Sequence, residues 1–299
     1  MKNQLKTILL LGSLSALVVG FGGLVAPGYL YVFGALALGM NLFAYFFSDR
    51  LVLRMHHAQE VSPQQAPDLH AMVDELSANA GIPKPRVYVI PDSQPNAFAT
   101  GRNPEHGVVA VTEGIVRLLD RRELRGVIAH ELAHIKNRDI LVSSIAAAAA
   151  ALISYVAQAV TFSSLFGGSQ SDEESEGGAA GGLLVALVAP FAATLIQLGI
   201  SRSREYLADE TGARISGDPE ALASALLRLE RGAQLMPAHT ATPATASLFI
   251  VNPFGAVQNV ARWFSTHPAT QERVERLLKL ARESGRGVRL TGGPLMARG

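Results

Sequence analysis

No residue from 7 to 48 carries a charged side chain, and the same holds for residues 140–171 and 177–201. A helix needs about 20 mostly apolar residues to cross a bilayer. The first stretch therefore has room for two crossings and each of the others for one. Pro27-Gly28 in LVAPGYLY suits a turn between the first pair, and the acidic, glycine-rich GGSQSDEESEGG at 167–178 a turn between the second. The sequence thus predicts four transmembrane helices, near residues 7–26, 29–48, 140–162 and 181–200. Two plainer readings compete. Lys2 and Lys6 ahead of an apolar core also suit a cleaved signal peptide, although a second uncharged segment follows almost at once. The later pair, rich in Ala and Gly, also suits buried core helices.

Charge placement orients the two hairpins. Lys2 and Lys6 precede the first span, Arg50 and Arg54 follow the second, Lys136 and Arg138 precede the third, and Arg202 and Arg204 follow the fourth. The connecting loops carry no Lys or Arg. By the positive-inside rule both termini and the polar segments face the cytoplasm. A net charge of +1 leaves no electrostatic footprint for nucleic acid. With no cysteine, a metal would have to be held by histidines and carboxylates.

The chain divides accordingly into a span pair at 1–48, a polar segment at 49–139, a second span pair with its acidic loop at 140–200, and a second polar segment at 201–299. In PDLHAMVDELSANAGIPKP, residues Leu69, Met72, Val73, Leu76 and Ala80 share one helical face and Gly81 ends the helix. RVYVI and GVVAVT read as strands, with a turn-rich stretch between them and an edge strand at 97–100. Asp120 with Glu123 forms a capping-box pattern, which starts a helix that runs through Glu131 toward the third span. REYLADETGARI, DPEALASALLRLERG and TQERVERLLKLARE read as three further helices, and the final GGPLMARG as a loose tail. No internal repeat is present.

The predicted helix at 121 and beyond carries GVIAHELAHIKNRD. Residues four apart lie about 40° from one another around a helix, so His130 and His134 aim both imidazoles at one point. Glu131 is about 100° round from His130, within reach of a water in such a site without binding the metal itself. Two imidazole nitrogens with an acidic neighbour suit zinc, which in catalytic sites keeps one position open. A third ligand is needed. Asn137 and Ile140 stand where a metzincin would have its glycine and third histidine, so that arrangement fails. A glutamate on a second helix is the alternative, and SRSREYLADETGA offers Glu205 with Asp209 four residues on. Glu205 then ligates while Asp209 accepts a hydrogen bond from a ligand imidazole; the plain alternative is a solvated face balanced by Arg202 and Arg204. Topology favours the site, because two bilayer crossings return the chain to the side it left.

PNAFATG, HELAHIKNRD, SRSREYLAD and STHPATQERVERL, in this order and with two span pairs, resemble the M48 family of zinc metallopeptidases over nearly the whole chain. The resemblance implies a mostly α (α+β) fold: four transmembrane helices and a gluzincin-type protease domain with a small β-sheet. It implies one zinc ion held by His130, His134 and Glu205, with Glu131 as the catalytic group. It further implies endoproteolysis of misfolded or damaged membrane proteins at the bacterial cytoplasmic membrane, as part of a stress response. The implied partners are polypeptide substrates, membrane proteins among them, the lipid bilayer and other membrane proteases. His267 resembles a family histidine near the zinc, which stabilises the oxyanion or enters as a fourth ligand; the plain alternative is a cap on the following helix. Arg273 is read as the partner of an acidic residue of the site. Asn96, Ala97, Phe98 and Ala99 resemble the family's edge strand, to which an extended substrate adds by main-chain hydrogen bonds; an ordinary turn is the alternative. His56, His57, His70, His106 and His239 lack ligand spacing and read as solvated or interfacial.

Two other classes remain. A membrane scaffold or chaperone with a structural zinc would need four protein ligands, and His267 is the evident fourth. A transporter with a regulatory zinc is disfavoured, because the spans contain no charged residue to hold an ion midway.

Overall fold

Two apolar helices open the chain in the computed structural model, which describes residues 2–25, 27–149, 202–235, 249–250 and 268–284. Helix α1 (Lys2–Val25) turns through a short 3-10 segment, Pro27–Tyr29, into α2 (Leu30–Met55). The turn falls where Pro27-Gly28 predicts it. Asn41 Nδ2 donates to Ser15 Oγ at 2.7 Å, and Ser15 Oγ to the Leu11 carbonyl at 3.0 Å, a polar tie between two apolar surfaces. Along α2, residues such as Tyr31, Leu36, Leu38 and Phe43 stay exposed. Among the described residues α2 alone is long and apolar enough to cross a membrane by length and composition. That is one such helix where the sequence predicts four. α1 has a shorter apolar run at Thr7–Gly20, and α6 (Ile140–Ala149) covers the start of the third expected span. The rest of that span, and the fourth at 181–200, lie outside the described residues.

Four strands form a small mixed sheet: β1 (Gln59–Glu60), β2 (Arg86–Ile90), β3 (Ala97–Thr100) and β4 (Val108–Thr112), in the order β1-β2-β4-β3. β2 and β4 are parallel, the other pairs antiparallel, and β3 is an edge strand as expected. Alternate side chains point to opposite faces. Ile90, Phe98, Val108 and Ala110 pack beneath the sheet against Val52 and Leu53 of α2 and Ala147 of α6. Val87, Ala97, Ala99, Val109 and Val111 join the main core on the other side. Burial on both faces is why VVAV reads as an unbroken apolar run rather than an alternating one.

That core also takes α3 (Pro67–Ala80), α5 (Arg121–Lys136), α7 (Arg202–Ser216), α8 (Pro219–Leu235) and α9 (Thr270–Glu283). A short helix, α4 (Glu113–Leu118), links β4 to α5. The five residues expected to share a face of α3 are all buried, and Gly81 closes it with φ 66°. The capping box at the head of α5 is present: Glu123 N donates to Asp120 Oδ1 at 2.8 Å, and Asp120 N to Glu123 Oε2 at 3.1 Å.

Two helix ends are placed and one expectation is corrected. The second helix continues beyond the span expected at 29–48 as far as Met55, which carries Val52 and Leu53 under the sheet. The helix carrying HELAH starts at its capping box and runs through Glu131, as expected. It ends at Lys136, and Arg138, in the left-handed region at φ 56°, turns the chain before α6. His70 is buried rather than solvated, its Nε2 2.9 Å from the Val61 carbonyl, and His56 is partly buried against Phe98.

Candidate active site

Helix α5 is buried on several sides, and α7 crosses it at its centre. Gly212 makes the crossing close: a Cβ there would lie 2.8 Å from His130 Cα. Gly126 plays the same part against α8, where a Cβ would stand 2.8 Å from Leu222 N. Both contacts are with backbone, which cannot swing aside. Gly212→Ala is therefore expected to push α7 off α5, destabilising the fold by about 1–3 kcal/mol and moving Glu205 away from the histidines. Thermal unfolding with and without added metal checks this; a parent-like melting curve in both conditions contradicts it.

Across this crossing the three expected ligands meet. His130 and His134 place their Nε2 atoms 3.2 Å apart, with ring planes at 88°. Glu205, in the first turn of α7, brings Oε2 to 3.7 Å from His130 Nε2 and Oε1 to 3.7 Å from His134 Nε2. One donor atom from each residue lies within 4.8 Å of the others.

Behind each imidazole stands a carboxylate. His130 Nδ1 is 3.0 Å from Asp209 Oδ1, though off the line of a full hydrogen bond, and His134 Nδ1 is 3.2 Å from both oxygens of Asp139. The ring protons thus belong on Nδ1, and two Nε2 lone pairs converge on one point. Two such nitrogens repel unless a proton or a metal ion lies between them. Tetrahedral zinc with nitrogen ligands at about 2.0–2.1 Å holds them about 3.3 Å apart, so this donor set fits zinc.

Arg273 of α9 anchors the first pair. It is 1% exposed and gives two hydrogen bonds to Asp209, Nε to Oδ2 at 2.8 Å and an Nη to Oδ1 at 2.7 Å. Burial would raise the Asp209 carboxyl, but the Arg273 guanidinium outweighs it and holds the group below the usual carboxylate range. The same guanidinium donates to the Ile250 carbonyl at 2.8 Å, while Ile250 N donates to Asn96 Oδ1 at 3.2 Å. Asn96 is further bound to Thr112, so it ties the start of β3 to the site.

Glu131 is buried, and burial pushes its carboxyl up against the opposing charges of His130 and His134. The Ala99 backbone N–H donates to it, which sets β3 directly beside this carboxyl. For His134, burial alone would lower the pKa; Asp139, Glu205 and Glu131 override it and raise the group to about 10. Arg204 is buried too, and burial lowers its pKa against the charges of Asp139 and Glu205. A cavity of about 40 Å³ opens among His130, Glu131, His134 and Glu205, between β3 and the start of α6. This has room for an ion and a water or two.

The fold thus brings together His130, Glu131, His134, Glu205, Asp209 and Arg273, with Ala97, Phe98 and Ala99 lining the same cavity. His267 lies outside the described residues. Sequence reasoning missed Asp139 and Arg204. An aspartate five residues past the second histidine, where the helix ends, was the available signal for the first. Nothing in the sequence separates Arg204 from an ordinary flanking charge.

Residues 63–281 match the family model described as Peptidase family M48. A Protease HtpX homolog of Pyrococcus furiosus is 53% identical over 281 residues, covering 94% of this chain and 96% of its own length. One from Burkholderia thailandensis is 52% identical over 287 residues, covering 94% and 98%. Among solved structures, the crystal structure of S. mikatae Ste24p aligns over 92% of this chain with a TM-score of 0.50 at 17% identity. This chain spans 64% of that one, and the likeness concerns the fold alone. Matched by the family model over most of its length and by relatives of this identity almost end to end, the chain belongs to peptidase family M48 and is a metallopeptidase.

Proposed function

We propose that the protein is a zinc-dependent endopeptidase, held in the cytoplasmic membrane by four helices, that cuts misfolded or damaged membrane proteins on the cytoplasmic side. The observation that carries the catalytic reading is the convergence of the His130, His134 and Glu205 donors beside the buried Glu131 carboxyl. When bound there, zinc supplies Lewis acidity, activating water and polarising a scissile carbonyl at neutral pH. Glu131 takes the proton from the attacking water and delivers it to the leaving amine. Asp209, locked by Arg273, keeps His130 in the tautomer that presents Nε2.

The substrate backbone is proposed to add to the outer edge of β3, the strand at 97–100, preceded by Asn96. Because Ala99 N–H meets Glu131, pairing along this strand sets the distance from the peptide to the base. His267 is assigned to stabilise the oxyanion or to enter as a fourth ligand.

The membrane placement rests on the uncharged stretches, the exposed apolar length of α2 and the names of the relatives, all proteases of the HtpX type. The proposed organisation is a span pair at 1–48, the first catalytic half at 49–139, a second span pair at 140–200 and the second half at 201–299. The packing of α5 against α7 supports it, since the catalytic halves must lie on one side of the bilayer.

Purified full-length protein with zinc is expected to cleave casein. A chelator should abolish the cleavage and re-added zinc restore it. Cleavage that survives complete removal of metal overturns the zinc-dependent reading.

A further inference from the structure

His134 and His130 are treated alike by the fold, but with different anchors. Behind His130 stand Asp209 and Arg273, one from the middle of α7 and one from α9. Behind His134 stands Asp139, which is 1% exposed and sets both carboxylate oxygens 3.2 Å from Nδ1. Asp139 is also the last residue before α6. Its carbonyl accepts from Ser143 N at 3.3 Å in the first turn of that helix, and its own N–H donates back to the His134 carbonyl at 3.3 Å. Arg138, forced to φ 56°, is the residue that turns the chain so that this can happen. A left-handed, non-glycine residue costs free energy, and such strain persists only where the surroundings enforce it.

We propose that Asp139 is a positioning residue of the metal site, orienting His134 and tethering it to the first turn of the apolar helix α6. The carboxylate accepts the Nδ1 proton, so Nε2 keeps its lone pair toward the ion, and the negative charge makes that nitrogen a stronger donor. An ordinary helix cap would turn its carboxylate toward the N–H groups of α6; this one faces the imidazole. The buried Arg204, in the first turn of α7, supplies positive charge that both Asp139 and Glu205 feel. The two ends of the segment 150–201 thus both reach the ligands, through Asp139 at one end and through Arg204 and Glu205 at the other. The metal's grip on His134 then depends on how α6 enters its first turn.

The inference rests on His130, His134 and Glu205 holding zinc. It is tested on the full chain in detergent micelles, comparing the parent with Asp139→Asn and Asp139→Ala. Zinc affinity is read by competition with a chromophoric chelator, the ligand field by the visible spectrum of the cobalt-substituted protein, and folding by the melting temperature in chelator. Asp139→Ala should weaken zinc binding by about 10- to 100-fold and shift the cobalt bands. Asp139→Asn, which keeps an acceptor but loses the charge, should fall between the two. Its melting temperature in chelator should stay near the parent's while the rise on adding zinc shrinks. If Asp139→Ala does not fold, Asp139→Asn carries the comparison. A lowered melting temperature in chelator with parental zinc affinity and an unshifted cobalt spectrum overturns the proposal, leaving Asp139 a structural residue only. A parent that binds no zinc in the same titration overturns instead the reading of the site itself.

Discussion

Glu131→Gln should keep its zinc and lose cleavage by about 10²- to 10⁴-fold, the range that positioned proton transfer contributes. The two side chains have the same shape, and the amide oxygen can still accept from Ala99 N–H. His130 and His134 keep their contacts with Asp209 and Asp139, so the metal donors are untouched. What is lost is a group that can take a proton from water and return it to an amine. Metal analysis of the purified variant and the rate of casein cleavage check both halves. A Gln variant that cleaves at the parental rate refutes Glu131 as the base. The same variant binds substrate without consuming it, so it also serves as a trap. Proteomics of membranes from cells carrying it should recover misfolded membrane proteins, and recovery of none would remove the support for a quality-control role.

Glu205→Ala is expected to lose both metal and activity. The variant leaves two imidazole nitrogens 3.2 Å apart with no anionic donor across from them. It also changes the charge balance. Arg273 Nη lies 3.8 Å from Glu205 Oε2, and Arg204 is buried in the same turn of α7. With Glu205 gone, those guanidinium groups face the site less opposed and repel a dication. Zinc affinity should drop by more than about 100-fold, beyond what loss of an outer hydrogen-bond partner causes, and the melting temperature should stop rising with added zinc. Glu210→Ala on the same helix is the control. Glu210 is half-buried, away from the ligands, and pairs with Arg214 one turn on, so its removal should change neither quantity. Parental zinc affinity in Glu205→Ala would disprove the ligand assignment.

Much of the fold is legible because it is written in local patterns. The faces of α3 and α9 recur at helical spacing, the capping box names the first turn of α5, and Gly81 ends α3 where only a left-handed residue suits. The edge strand at 97–100 is bounded by turn residues on both sides. What local patterns miss is whatever depends on a partner far along the chain. His70 looked like a surface histidine until Val61 offered its carbonyl. Asn137 suits a helix end, but Arg138 is an ordinary helix residue in other settings, so the left-handed turn it makes is hidden. That turn is imposed by Asp139 reaching back to His134.

The sequence by itself determined which atoms are available: two imidazoles one helical turn apart, a glutamate beside them, an acidic pair on a later helix, and uncharged lengths sufficient for lipid. Those follow from residue type and from the 3.6-residue repeat, which act over a few positions. Only the tertiary structure decided which carboxylate stands behind which imidazole, because that depends on how closely α7 crosses α5. The crossing is close because Gly212 has no side chain to hold the two backbones apart.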